Sequence, residues 1–282
     1  MKSFITSIAL ALCAAQVVVA APEVMRAVEQ RDNQVAARAV TFVMNCAAYK
    51  GSNGKNRKGA GETCNTMCYG TNCKAKTKSF TFDGADQKKK DKRRESAGCN
   101  PTNKNICKTD KKWTDKGLTD CDEFPLAATK EADNGGQVFR CVKAADNRSQ
   151  GGQTTTAIKA CKNKFPCQFT FSFKGETNYK YCQKSTDCKS DGNLYTRGNT
   201  PVKRDLPASP AQEGGYYQLR SGATIYSPSD LAIGTVAVRN VYANDTNIIN
   251  DEEAAQIEVR DLWDEEGEQE DELIEDEVMM KL

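Results

Sequence analysis

Short stretches in which apolar and polar residues alternate recur along this chain and predict β-strands. The clearest is residues 168–173, where three phenylalanines alternate with Gln, Thr and Ser, so that one face of the strand is expected to be buried. Further strands are predicted at residues 41–44, 79–82, 137–142, 216–219, 223–226 and 235–238.

Helices are predicted at residues 86–97 and 121–130. In the second helix Asp120 is a candidate N-cap, and Asp122 and Glu123 fall in the first turn, where the helix dipole favours negative charge. Near the C-terminus, one face of a further helix is expected within a largely disordered acidic segment. This face is formed by Leu262, Trp263, Leu273, Ile274 and Val278.

Charge divides the chain into two parts. Residues 205–282 hold 19 acidic and 4 basic residues, and the totals of 38 and 40 leave 19 acidic and 36 basic residues in 1–204. The two parts therefore carry formal charges of −15 and +17. The boundary is rich in proline, as is typical of an exposed linker, and Lys203-Arg204 is a candidate dibasic processing site.

The N-terminus has the features of a secretory signal: Lys2, a mostly apolar run as far as Ala15, and small residues before a cut after Ala20. The run is short for a membrane anchor, so we predict a secreted, extracellular protein with no membrane association. The predicted organisation is a signal peptide at 1–20, a propeptide or flexible arm at 21–40, a cysteine-rich domain at 41–200, a linker at 201–214 and an acidic C-terminal region at 215–282.

The cysteines indicate a disulfide framework. Of the 13 cysteines, Cys13 lies in the predicted signal, which leaves 12 for the mature chain. An even number in an oxidising compartment predicts six disulfides, whose pairing the sequence leaves open. Zinc is disfavoured because clustered zinc ligands often include histidine and the chain has none. The predicted fold is therefore a small, disulfide-rich α+β domain with a short sheet and a few helices, followed by an acidic, partly disordered region.

Three carboxylates lie inside the basic, cysteine-rich region: Asp122, Glu123 and, eight residues after Glu123, Glu131. Hydrolysis of a phosphodiester needs an activated water and neutralisation of developing charge, and a hard cation held by carboxylates supplies both. The absence of histidine excludes nucleases that use histidine and serine or cysteine nucleophiles paired with it. From spacing alone, helix capping by Asp122 and Glu123 is the competing interpretation.

The same segment resembles a known family. The similarity is carried by Asp122-Glu123-Phe124-Pro125, by Glu131 before Gly135-Gly136, and by an expected polar loop at residues 146–152 that reads Asp-Asn-Arg-Ser-Gln-Gly-Gly. These motifs resemble those of the secreted NucA/NucB-type deoxyribonucleases, most closely their cysteine-rich fungal branch. The resemblance extends from about residue 41 to about 173. The chain departs from the family pattern in two places. The Gly-Gly pair often follows the glutamate directly in the family, but residues 132–134 intervene here. Bacterial members have an additional Asp-Arg before the acidic pair, whereas here Asp120-Cys121 precedes it.

The resemblance implies catalytic roles for Asp122, Glu123 and Asn147, with Asp122 as general base. It implies Glu123 and Glu131 as ligands of a divalent cation, Mg²⁺ or Mn²⁺. Asn147 also begins an N-glycosylation sequon, Asn147-Arg148-Ser149, for which we favour the functional interpretation.

Dense positive charge predicts contact with the DNA backbone without sequence specificity. The candidate substrate-binding residues are Arg148, Gln150, Lys92, Arg93 and Arg94. The function predicted is a secreted, metal-dependent endodeoxyribonuclease, acting as a monomer. The alternatives are a non-catalytic cationic module that binds nucleic acid or other polyanions, or an effector or toxin with a self-inhibitory tail.

The acidic C-terminal region has three possible roles. It is a solubilising end, an intramolecular mimic of DNA that covers the basic face until Lys203-Arg204 is cut, or a surface that recruits another protein. The second rests on the opposed charges of −15 and +17, which attract strongly at low salt.

Overall fold

The computed structural model describes residues 40–51, 55–74, 78–99, 105–162, 164–202, 214–240 and 273–282. The predicted signal peptide, the propeptide or arm, Lys203-Arg204, Leu262 and Trp263 lie outside these residues. No helix within them has the length and apolar character needed to cross a membrane.

Thirteen strands occur in the described residues, and their bounds are as follows. They are β1 Val40–Asn45, β2 Tyr49–Lys50, β3 Asn56–Arg57, β4 Ser79–Phe82, β5 Asp120–Phe124, β6 Val138–Val142, β7 Cys167–Lys174, β8 Tyr195–Thr196, β9 Thr200–Pro201, β10 Gly215–Leu219, β11 Thr224–Ser227, β12 Val236–Asn240 and β13 Leu273–Lys281.

The described α-helices are α1 Glu62–Tyr69, α2 Gln87–Ala97, α3 Ile106–Thr109, α4 Lys111–Thr114 and α5 Ala144–Ala160. A π-helical turn, Gly70–Lys74, follows α1, and short 3₁₀ turns lie at Lys130–Asn134, Lys180–Cys182 and Arg197–Asn199. The mixed α+β class is confirmed. The helix predicted at 86–97 is also confirmed as α2, because the Asp86 side chain caps it by accepting a hydrogen bond from Lys89 N at 2.8 Å.

The large sheet has the order β1-β12-β13-β10-β11-β7-β4, with β1 also paired to β7, so that six of its strands close into a ring. Alternate residues face two different cores. Val43, Tyr217 and Val278 belong to one cluster, and Phe42 and Phe171 belong to a larger cluster that includes residues of α1 and α5. The sheet is larger than the sequence predicted because strands from both halves of the chain join it.

The strands predicted near the C-terminus are confirmed as β10, β11 and β12. The apolar face of a helix predicted to include Leu273, Ile274 and Val278 is wrong. These residues lie in β13, which pairs with β12 on one side and β10 on the other. Backbone pairing on both sides decides the outcome here, since an acidic segment has little local preference for a strand.

All six predicted disulfides are confirmed. They join Cys46–Cys64, Cys68–Cys182, Cys73–Cys188, Cys99–Cys121, Cys107–Cys141 and Cys161–Cys167. Two of them close loops of 114 and 115 residues and attach α1 and the turn after it to residues 182–188. On the loop-entropy model each such link stabilises the fold by about 4–5 kcal/mol.

A second sheet, of order β5-β6-β8-β9, carries the candidate site. Its centre is the β5–β6 hairpin, in which Asp122 lies opposite Arg140 and Glu123 opposite Phe139. The helix predicted at 121–130 is therefore wrong: residues 120–124 form a strand. Asp120 is the first residue of that strand and caps no helix.

Candidate active site

Helices cover both faces of the β5–β6 hairpin. On one face the Phe124 ring lies against Gly70, at the end of α1. On the other face the Phe139 ring lies against Gly98, at the end of α2. Since successive side chains of a strand point to opposite faces, Asp122 lies on the α1 face with Phe124, and Glu123 lies on the α2 face with Phe139. The two adjacent acids therefore do not share one site.

Asp122 is 1% exposed, and Thr66 of α1 and Gln150 of α5 lie beside its carboxyl group. Burial raises the pKa of Asp122 well above its usual range, and the charge of Glu123 adds to the shift. Thr66, Gln150 and Arg140 act in the opposite direction and lower that pKa. Among the described residues, the buried atoms Asp122 Oδ2, Thr66 Oγ1 and Gln150 Nε2 lie close together but form no hydrogen bond of good geometry.

Arg140, the cross-strand neighbour of Asp122, is 3% exposed and is held by two carboxylates. Its Nη2 donates to Glu62 Oε2 at 3.1 Å, and its Nη1 lies 2.8 Å from Asp191 Oδ2. Its guanidinium also lies over the Tyr181 ring, 5.7 Å from the centroid. A fixed cation thus stands next to Asp122.

Helix α5 follows the hairpin directly and packs on the same face as Asp122. Asn147 and Gln150 are about one helical turn apart, so they lie on the same side of α5. Asp120 and Asp122 are two residues apart, so they lie on the same face of β5. Asn147 Nδ2 donates to Asp120 Oδ2 at 3.4 Å, and Gln150 lies beside Asp122. The structure therefore brings Asp122, Asn147 and Gln150 to one side of the hairpin.

Residues 146–152, expected to form a loop, belong to α5, so this expectation is wrong. The Asp146 carboxylate accepts a hydrogen bond from Glu62 N at 3.1 Å and pairs with Lys58 at 3.1 Å, so it fixes the start of α1. Arg148 lies on the exposed side of α5, where it is accessible to a ligand.

Glu123 and Glu131, predicted as metal ligands, are engaged elsewhere. Glu123 Oε1 accepts a hydrogen bond from Ala127 N at 3.2 Å and lies 3.8 Å from Arg94 Nε. Burial raises the pKa of Glu123, and Arg94 partly counters the shift. Glu131 Oε2 accepts a hydrogen bond from Thr81 N at 2.9 Å, which ties the 3₁₀ turn to β4.

The three predicted basic contacts on α2 differ in their surroundings. Lys92 is exposed. Arg94 is 38% exposed and pairs with Asp91 at 3.0 Å. Arg93 corrects the prediction: it is 2% exposed, and its guanidinium binds Asp83, Asp133 and the Ala127 carbonyl. These bonds occupy its donors, so Arg93 is a structural residue that joins α2 to two neighbouring loops.

The ion pair of Arg93 makes stability depend on pH. Its guanidinium holds the pKa of Asp83 well below the usual range, and Lys89 adds to the effect. A lowered pKa in the folded state stabilises the protein above about pH 4, the ordinary carboxyl value, and this stabilisation is lost as the pH falls. We expect Asp83→Asn to lower stability at neutral pH and to flatten its dependence between about pH 5 and 2.

Acid unfolding followed by circular dichroism measures this difference. Asp115→Asn is the matched control, because Asp115 is exposed at the end of α4. Parallel stability curves for Asp83→Asn and the parent would contradict the expectation.

Among the described residues, no three Asp, Glu or Cys side chains are arranged to hold a metal by themselves. The oxygen-bearing groups at this position are the buried Asp122 carboxylate itself, the Thr66 hydroxyl and the Gln150 amide. Sequence reasoning missed Thr66 and Arg140. Arg140 had a signal, since it is the one charged residue in the apolar strand Val138–Val142.

No curated protein and no solved structure gives a significant match to the chain. A family model described as Deoxyribonuclease NucA/NucB matches residues 67–172, a stretch that runs from α1 through the hairpin and α5 into β7, and this match supports a deoxyribonuclease.

Proposed function

We propose that this protein is a secreted endodeoxyribonuclease that hydrolyses DNA phosphodiester bonds with little sequence specificity. The observation that carries the proposal is the buried Asp122 beside Arg140, Thr66 and Gln150, in a hairpin and helix that lie within the region matched by the nuclease family. Perturbed acids next to a fixed cation are typical of catalytic sites.

Asp122 is the proposed general base. It accepts a proton from the water that attacks phosphorus, and its raised pKa makes it a stronger base than an exposed aspartate. Arg140 compensates part of the negative charge beside it. Asn147 lies one turn before Gln150, at the less buried end of the site, and donates a hydrogen bond to the phosphate oxygens. The exposed Arg148 binds the neighbouring phosphates of the DNA backbone.

A divalent cation, Mg²⁺ or Mn²⁺, fits the groups at Asp122. The unpartnered oxygens of Asp122 and Thr66 are hard donors, and Mg²⁺ is commonly held by one or two carboxylates together with waters. When bound, such an ion neutralises charge on the phosphate and acidifies its water. Asp122 and Thr66 would hold such an ion, on the opposite face of β5 from Glu123.

Secretion is supported by the twelve paired cysteines, because disulfides persist in oxidising compartments. The substrate is then extracellular DNA, bound through its backbone. We propose that the protein acts on a DNA duplex as a monomer.

Incubation of the purified protein with supercoiled plasmid tests the function. We expect nicked and then linear DNA with Mg²⁺ or Mn²⁺, and intact DNA when EDTA is in excess. Plasmid that stays supercoiled with both metals, while the protein retards it in a gel, would favour a non-catalytic cationic module instead.

A further inference from the structure

A second feature lies on the α2 side of the hairpin, away from Asp122. A cleft of about 540 Å³ is bounded by α2, by the loop before β6 and by the turn after β8. Clefts of this size accommodate small ligands or single units of a polymer. The residues that carry the argument are Lys92, Ser96, Gly135, Gly136, Gln137 and Arg197.

The cations of this cleft fall into two groups. Arg93 is bound by Asp83 and Asp133, both at 2.7 Å, and Lys89 lies 2.8 Å from Asp83. These ion pairs fix the wall of the cleft and neutralise each other. Lys92 and Arg197 are exposed and have no ion-pair partner among the described residues, so their charge is available to an anion.

The opposite wall presents backbone. Gly135 and Gly136 have φ angles of +70° and +69°. Apart from their immediate chain neighbours, no atom of the described residues lies within 4 Å of the position where a Cβ would be. A side chain is disfavoured at such φ angles, and without one a ligand can approach the peptide groups closely. Backbone N–H groups that are left uncovered in this way are accessible to phosphate oxygens.

Gln137 adds an acceptor at the base of the cleft. It is 3% exposed, and its Nε2 donates to the Pro125 carbonyl at 3.2 Å. That bond fixes the amide, and Oε1 is buried with no partner among the described residues. A buried acceptor without a partner is costly unless a ligand or water donates to it.

The cleft thus offers two free cations and a buried hydrogen-bond acceptor. A nucleotide has the matching groups, an anionic phosphate and a base that donates hydrogen bonds. We propose that this cleft is a second nucleic-acid site, which holds a nucleotide on the opposite side of the hairpin from Asp122. Lys92 and Arg197 bind its phosphate, and Gln137 Oε1 accepts a hydrogen bond from its base. The groups of the cleft suit a nucleotide, and the identity of the polymer as DNA rests on the proposed function.

The test separates binding from cutting by using the full-length Asp122→Asn protein as the parent. The affinity for a fluorescein-labelled DNA duplex is measured by anisotropy at several salt concentrations, for Lys92→Gln and Arg197→Gln. Arg220→Gln is the matched control, because Arg220 is an exposed arginine that pairs with Glu277 on the other sheet. Each cleft variant is expected to weaken binding about 3–10-fold and to reduce the salt slope by about one.

A third variant distinguishes a nucleotide site from a general polyanion surface. Gln137→Leu, checked for an unchanged melting profile, is expected to weaken DNA binding at the same salt slope and to leave heparin binding unchanged. If Arg197→Gln and Arg220→Gln bind DNA alike, or if Gln137→Leu weakens heparin equally, the cleft proposal is wrong. If the parent binds as expected but the wild type leaves plasmid intact, the proposed nuclease function fails while the cleft proposal stands.

Discussion

Replacing Asp122 with asparagine is expected to abolish DNA cleavage and to stabilise the fold. Loss of a general base lowers the rate by about 10²–10⁴-fold. Stability rises because asparagine removes a charge from a site that is 1% exposed. Relieving a buried charge of this kind contributes about 1–2 kcal/mol, which raises Tm by about 2–8 °C for a domain of this size.

The stabilisation has a defined pH dependence. Burial raises the pKa of Asp122 in the folded state, so folding favours its protonated form. The wild type therefore loses stability, relative to the asparagine variant, as the pH rises above about 4, the unfolded value. The gain in Tm should be small below pH 4 and should grow toward neutral pH. Nicking assays and thermal melts at several pH values measure both effects.

Glu123→Gln is the matched control, because it changes the adjacent carboxylate on the opposite face of β5. Its contact with Arg94 and Ala127 makes it a structural residue in this geometry, so we expect a loss of activity at least about tenfold smaller than for Asp122→Asn. Equal losses in the two variants would show that both acids serve the reaction and would contradict the assignment to one face. An active Asp122→Asn protein would contradict the general-base role.

Removing residues 273–282 is expected to prevent folding of the whole described unit. These residues form β13, which lies between β12 and β10 in the large sheet. Without it, β12 and β10 each lose one of their two neighbouring strands, and the cluster around Val278 is opened. Arg239, 4% exposed, also loses Asp276, to which it donates at 3.2 Å. Removing one member of a buried ion pair costs about 3–5 kcal/mol.

Point variants in β13 provide a graded measurement. Val278 is fully buried, and its neighbour Met279 is 43% exposed. Val278→Ala is expected to lower the free energy of unfolding by about 2 kcal/mol, and Met279→Ala to change it by less than about 0.5 kcal/mol. Chemical unfolding of the two variants measures this. A truncated chain that melts cooperatively at the parent's temperature would contradict a structural role for β13.

Truncation at Arg204 is a poor probe of the acidic region, because the strands β10 to β13 follow that residue. A protein that ends at Arg204 would lack β10, β11, β12 and β13, four of the seven strands of the large sheet. The activity of such a protein would reflect the loss of these strands as well as the loss of the acidic residues. Charge-neutralising substitutions within residues 245–272 are the better test of an inhibitory or recruiting role, because they leave all four strands in place.

The sequence determined the features that depend on local pattern. Alternation marked the strands around Phe171 and Phe139, the helix predicted at residues 86–97 is α2, and the even cysteine count implied six disulfides. The family resemblance located the segment that contains Asp122. These features are readable because neighbouring residues largely decide them.

Tertiary structure decided the rest. Residues 120–124 carry the acids of a helix start, but pairing with β6 makes them a strand, and this places Asp122 and Glu123 on opposite faces. Pairing across the chain likewise selected the cysteine partners, drew β13 into the sheet and set Arg140 beside Asp122. Contacts between residues distant in sequence are fixed by the packing of the whole chain, and no local pattern contains them.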